Sequence, residues 1–264
     1  CGSSDIPYYY AQEPEAPMTF SPDAEFPLIN VEKGQFRGEL SAAFAPGAGG
    51  RDLIRFESGD TVNIVPGRAE AAVSGFPEEE IRAALNEVIN LIDAAYELTF
   101  EYDEERQEPL ISAAGAPAHA STPENGVNAG VILLQLLGRL PFDNAALKKA
   151  LCGMCSLFPY GDHHGAALKV DIHDEVSGYT SLSPDIFRGD AGSLYVKFDA
   201  RTSVAATEEN TILAAKASAA EAGFKFDWQF NPAHAVPEDT PFIRSLLRAY
   251  SKDYGDLYDV CKGT

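Results

Sequence analysis

The run Val131–Leu137, VILLQLL, is apolar nearly all the way round a helical wheel. Such a helix must be covered on every side, so the rest of the chain has to be wrapped around it. Ahead of it lies GAPAHASTPENGVNA at 115–129, a stretch of small residues that holds His119. Thr122 as cap and Pro123 at the first helical position predict that the helix starts there, and Gly138 closes it. A helix start leaves unpaired N–H donors. Beside an imidazole, such donors suit an anion or a developing oxyanion, which makes this stretch the first candidate site.

The remaining pattern supplies the covering layers. Short strands are expected at 26–31 (FPLINV), 36–44 (FRGELSAAF) and 52–58 (DLIRFES), the last two separated by the glycine cluster 46–50. The run 61–73 (TVNIVPGRAEAAV) reads as a strand pair around a turn at Pro66 and Gly67. Glu78, Glu79 and Glu80 favour a helix start, and Ile81, Leu85, Val88 and Ile92 recur at helical spacing. Strands follow at 98–102 and 109–115. After the apolar helix, Asp143 or Asn144 starts another helix, with Leu147, Leu151, Met154 and Phe158 on one face. Strands are expected at 167–175 (ALKVDIHDE) and 193–201 (SLYVKFDAR), with a turn-rich connection, 177–192, between them. A helix over 207–222 ends at Gly223. A strand then follows with Phe224, Phe226, Trp228 and Phe230 on one side, and Asp239, Thr240 and Pro241 open a last helix. Strands with helices on one face of an antiparallel sheet make an α+β fold, here with two helix-over-sheet units.

Asp and Glu number 40 against 20 Lys and Arg, a formal charge of −20. That repels phosphate backbones and anionic membranes, and there is no basic run, so nucleic acid and membrane partners are excluded. The charge fits the solvated acidic surface of a cytoplasmic protein, with selection of cationic ligands as the alternative. Cys1, Cys152, Cys155 and Cys261 are too few for a disulfide framework, which fits a reducing compartment. No apolar run reaches the roughly 18 residues of a membrane span. The opening CGSSDIPYYY lacks the basic and apolar regions of a signal peptide, and without a starting Met the chain is expected to be part of a longer one.

Other chemistry-bearing residues are weaker candidates. Cys152 and Cys155 form a CxxC inside a predicted helix, not at its N-terminus, and no second pair completes a zinc site, so they are expected to be buried and inert. His163, His164 and His173 lack metal-ligand spacing and read as solvated surface, and His234 is given no role. Asp23, in SPDAEFP, is an acidic group between apolar segments, of the kind divalent ions select.

SPDAEFP followed by Glu32–Gly34, the N-x-V-P at Asn63 to Pro66 and the GAPAHASTPENGVNA run together resemble the zinc-dependent dipeptidase branch of the aminoacylase and carboxypeptidase G metallopeptidase family, which includes carnosinase. KFDAR, ending at Arg201, resembles the strand that carries the family's lid arginine, and PFIRSLLRAYSKDYG resembles its late catalytic-domain helix. The matches fall in the family's order along nearly the whole chain.

The resemblance implies a catalytic domain holding two zinc ions, with a lid inserted into it. Asp23 would be a ligand of one zinc, and His119 would polarise the scissile carbonyl. Asn63 and Arg201 would hold a dipeptide, Arg201 through its terminal carboxylate. The implied division is 1–34 as a strip of catalytic domain, 35–234 as a lid of two ferredoxin-like subdomains, and 235–264 as a catalytic-domain helix. The family's His-x-Asp motif, bridging Asp, Glu-Glu pair and final ligand His are absent, so this chain alone is expected to be inactive. Sister activities in the family, deacylase, carboxypeptidase and tripeptidase, share the lid pattern. A homodimer through the lid is a further implication. Outside the family reading, the chain would be a non-catalytic α+β binding or dimerisation module.

Overall fold

The computed structural model describes residues 5–21, 26–47, 49–103, 108–254 and 261–262. Asp23 lies outside the described residues. Two compact units are present: Cys1–Val31 with Ala235–Gly263, and Glu32–His234.

In the first unit, α1 (Asp5–Tyr10) is a short exposed helix, and α6 (Pro241–Tyr254) carries its apolar residues at helical spacing and buries Ile243. A three-stranded sheet joins β1 (Ile29–Glu32), β14 (His234–Ala235) and β15 (Cys261–Lys262), with β1 central and parallel to β15. Asn30 is buried there, its amide donating to the Val236 carbonyl at 2.8 Å.

The second unit is built on one continuous sheet of eight strands. Along the chain these are β2 (Gly34–Ala43), β3 (Asp52–Ser58), β5 (Arg68–Ser74), β6 (Glu97–Asp103), β7 (Glu108–Ala114), β11 (Ser181–Gly189), β12 (Ser193–Thr202) and β13 (Lys225–Asn231). Their order across the sheet is β13-β2-β12-β11-β3-β5-β7-β6, and every pairing is antiparallel. Two-residue pairs lie outside it: β4 (Ile64–Val65) with β8 (Ala118–His119), and β9 (His173–Asp174) with β10 (Gly178–Tyr179).

Alternation along the strands sorts the two faces. Phe36 and Leu40 of β2, Phe56 of β3, Ile111 of β7 and Val196 and Phe198 of β12 are fully buried and form one core with the helices. Those helices are α2 (Glu78–Leu91), α3 (Ala129–Leu137), α4 (Ala145–Leu157) and α5 (Leu213–Glu221). Every residue of α3 is buried, as its all-round apolarity requires. Gly130 lets it approach the sheet: an added Cβ would strike the Phe187 ring. On the other face, Gln35, Arg37 and Glu39 of β2 stand beside Lys197, Asp199 and Arg201 of β12.

Several expectations are corrected. Thr122 makes no capping bond, and residues Pro123–Asn125 form only a 3-10 turn. α3 starts at Ala129, capped by the Asn128 side chain, which accepts from the Val131 N–H at 3.0 Å. The helix therefore starts ten residues after His119 rather than four, and its first N–H, from Ala129, donates to the Pro66 carbonyl at 2.9 Å. The expected strand 167–175 survives only as β9, because Gly165, Lys169 and Val170 are tied into turns. The turn-rich 177–192 instead holds β11, a central strand. Among the described residues, no helix is long and apolar enough to cross a membrane.

Candidate functional site

The segments that carry His119, Asn63 and Arg201 are linked through the backbone of Ala120. His119 sits in β8, opposite Ile64 of β4. The next residue, Ala120, donates its N–H to the Asn63 carbonyl at 2.9 Å. Its own carbonyl accepts from the Ser181 hydroxyl at 3.4 Å. Ser181 is in turn the cross-strand partner of Arg201. Segments far apart in sequence are thus referred to the backbone of one residue.

The His119 ring is exposed and its tautomer follows from its neighbours. The Ser121 backbone N–H donates to Nδ1 at 3.1 Å, and the Ser121 hydroxyl lies 2.8 Å from the same atom. A backbone N–H can only donate, so Nδ1 must accept, and in the neutral ring the proton sits on Nε2. The outward nitrogen is then a hydrogen-bond donor.

Asn63 is held in the left-handed region, φ 81, a conformation that asparagine tolerates better than most residues. Its N–H donates to Oδ2 of Asp185 at 2.7 Å. Asp185 is fully buried, and burial pushes its carboxyl up to about 8, with the charge of Asp199 adding to the shift. It occupies a β-bulge: Pro184 pairs with Phe198 and Ile186 with Lys197, leaving Asp185 as the extra residue.

Arg201 shares a carboxylate with Arg37. Asp199, fully buried, accepts from Nε of Arg37 at 2.8 Å and from Nε of Arg201 at 3.1 Å. Both bonds use the inner edge of the guanidinium, and the side chains remain 28% and 19% exposed. Two guanidinium groups against one carboxylate leave a local excess of positive charge able to receive an anion.

No hydrogen bond joins the other candidate side chains to His119, Asn63 or Arg201 among the described residues, although the His163 carbonyl accepts from the Leu182 N–H at 2.8 Å. Cys155 lies in α4 with its thiol pushed up to about 12 by burial, so it is inert as expected. Cys152 is exposed, contrary to expectation, because it falls on the outer side of the same helix. His163 is half-buried, and burial lowers its pKa. His164 Nδ1 lies 2.8 Å from the Thr180 carbonyl oxygen, while His173 and His234 are exposed.

Among the described residues, no three His, Cys, Asp or Glu side chains converge as a metal site requires. The described residues by themselves do not supply the ligands of the two implied zinc ions. The sequence reading missed Ser121, Ser181, Asp185 and Asp199. The alternation Leu182, Pro184, then Ile186 and Phe187 was the available signal for β11, masked by its proline and its bulge.

A profile of the M20 peptidase dimerisation domain matches residues 110–255. The chain is 31% identical to the Bacillus subtilis protein named "Putative dipeptidase YtjP", over 98% of this chain and 56% of that protein. It is 29% identical to the beta-Ala-Xaa dipeptidase of Lactobacillus delbrueckii subsp. lactis, over 95% and 52%. The chain thus spans about half the length of these relatives. Among solved structures, the aminoacylhistidine dipeptidase from Vibrio alginolyticus overlaps 86% of this chain and 50% of its own, with TM-score 0.43 and 11% identity.

Proposed function

Since the chain belongs to the M20 peptidase family, we propose that it is the substrate-holding part of a peptidase that hydrolyses dipeptides. The observation that carries this reading is the exposed His119 ring with its Nδ1 taken by the Ser121 N–H, which leaves Nε2 as the donor. A fixed donor of this kind suits the oxygen of a carbonyl under attack, where charge develops in the transition state. His119 is the catalytic residue in this reading. Arg201 receives the substrate's terminal carboxylate, and Asn63 contributes to holding the peptide.

Residues 35–234 are the lid in this proposal, its sheet made of two ferredoxin-like halves, β13-β2-β12-β11 and β3-β5-β7-β6. Residues 1–34 and 235–264 belong to the catalytic domain. That domain would hold two zinc ions, with Asp23 as one ligand, and supply the activated water. One such ligand cannot hold two ions, so hydrolysis depends on residues outside this chain. The site is expected to work in the cytoplasm.

The test is an assay of the full-length protein with Zn²⁺ on a set of dipeptides and N-acyl amino acids. Preferential cleavage of dipeptides supports the proposal, and cleavage of N-acyl amino acids alone replaces it with a deacylase. A second reading, a non-catalytic module that pairs two copies of the chain, is favoured by the dimerisation-domain match. Sedimentation of this chain as a dimer, together with no hydrolysis by the full-length protein, would establish it.

A further inference from the structure

We propose that Asp185 is a positioning residue, whose carboxyl group, aimed by the β-bulge of β11, sets the place of the His119 segment through Asn63.

The path is short and each step is a hydrogen bond or a strand pairing. Asp185 Oδ2 accepts the Asn63 N–H at 2.7 Å, and the Asn63 carbonyl accepts the Ala120 N–H at 2.9 Å. Ile64 then pairs with His119 and Val65 with Ala118. The far end of the loop is anchored to the same residue: a Cβ added at Gly59 would strike the Asp185 carbonyl oxygen. Arg188 fastens that end, donating to the Ser58 and Gly59 carbonyls at 2.8 Å each. The loop 59–65 is thus closed over Asp185 from both ends.

A fully buried carboxyl group that served only the fold would be replaced at little loss by an apolar side chain of similar shape. Here it supplies the acceptor for a backbone N–H in left-handed conformation. Without it, Asn63 would lose the bond that holds its φ positive, and β4 would be free to shift against β8. A bulge re-aims one side chain out of a strand's regular alternation, and in β11 the re-aimed residue is Asp185. Oδ2 takes the loop N–H, and the Ser183 side chain on the same strand also faces the carboxyl.

The geometry stands independently of the peptidase reading. Its catalytic consequence rests on that reading.

The test is amide hydrogen exchange of this chain as wild type, Asp185→Ala and Asp185→Asn. In Asp185→Ala, exchange at Asn63 and Ala120 should quicken roughly 10- to 100-fold, the loss expected when a backbone N–H loses its acceptor. Protection at Leu40 and Val196, deep in the same sheet, should hold. Asp185→Asn keeps an acceptor oxygen and should restore both amides. If Asp185→Ala does not fold, Asp185→Ser, whose hydroxyl is too short to reach Asn63, serves with the same expectation. Unchanged exchange at Ala120, or equal loss across the whole sheet, would overturn the proposal. Kinetics of the full-length protein separate the two readings: Asp185→Ala should lower kcat with KM little changed, and Asp185→Asn should recover it. Faster exchange at Ala120 with unchanged kcat would leave the positioning intact and remove His119 from catalysis.

Discussion

Ser121 donates its backbone N–H to Nδ1 of His119 at 3.1 Å, so the ring's outward nitrogen must be the protonated one. Long-range proton–nitrogen spectra of the imidazole read this directly. At a pH where the ring is neutral, His119 should show a protonated Nε2 and an acceptor Nδ1. Ser121→Ala removes the hydroxyl but keeps the backbone donor, and should leave the tautomer unchanged. A protonated Nδ1 in the wild type would contradict the assignment.

Asp199 holds Arg37 and Arg201 at once from a fully buried position. Asp199→Ala leaves two guanidinium groups without their shared acceptor. Because both are partly exposed, water recovers part of the loss, and the cost should be about 1–3 kcal/mol in urea unfolding. A change below about 0.5 kcal/mol, typical of an ordinary surface substitution, would show that the carboxylate does not organise the pair.

Asn128 does two jobs at the start of α3. Its Oδ1 accepts from the Val131 N–H at 3.0 Å, and its Nδ2 donates to the Pro184 carbonyl at 2.8 Å. Asn128→Ala should cost about 1–2 kcal/mol, as loss of a cap does. Thr122→Ala, at the expected but unused cap, should cost less than about 0.5 kcal/mol. Thermal unfolding of the two variants decides between the positions, and the reverse ranking would restore Thr122 as the cap.

Asp185 ties stability to pH with a definite sign. In the unfolded chain an aspartate ionises near about 3.9. In the folded chain, burial pushes Asp185 to about 8. The negative charge of Asp199 on β12 adds to this, while Ser183, the Asn63 N–H of loop 59–65 and Arg37 on β2 oppose it. Between these values the folded state keeps a proton that the unfolded chain releases. The stability contribution of this group therefore falls as pH rises from about 4 to about 8, and changes no further above that. Asp185→Asn removes the titration, so its stability relative to wild type should climb across this window and then level. A difference independent of pH would contradict the raised value.

Much of this architecture was legible in the residues, for identifiable reasons. α2 and α4 announce themselves by helical spacing of apolar residues, α6 by its start at Asp239, Thr240 and Pro241, and α3 by having no polar face. β2 and β12 alternate because one face meets the helices and the other carries polar side chains. β11 was hidden because three departures coincide there: Pro184, a bulge at Asp185, and serines facing a buried polar layer. Such a strand looks like a loop until its neighbours are known. His119, Asn63 and Arg201 were marked by local motifs, but what joins them was not. Ala120 and Ser181 have ordinary sequence surroundings, and only the folded chain brings the Ser181 hydroxyl to the Ala120 carbonyl. The start of α3 was misplaced because Thr122-Pro123 is as good a local start signal as Asn128. The choice went to Asn128 because its amide also reaches Pro184 on β11.

The most direct test of the account is the steady-state hydrolysis of a dipeptide by the full-length protein and its His119→Ala variant, with circular dichroism to confirm that both are folded. The account predicts that kcat falls roughly 10²–10³-fold, as for loss of one fixed donor to a developing oxyanion, with the fold unchanged. An unchanged kcat would contradict it.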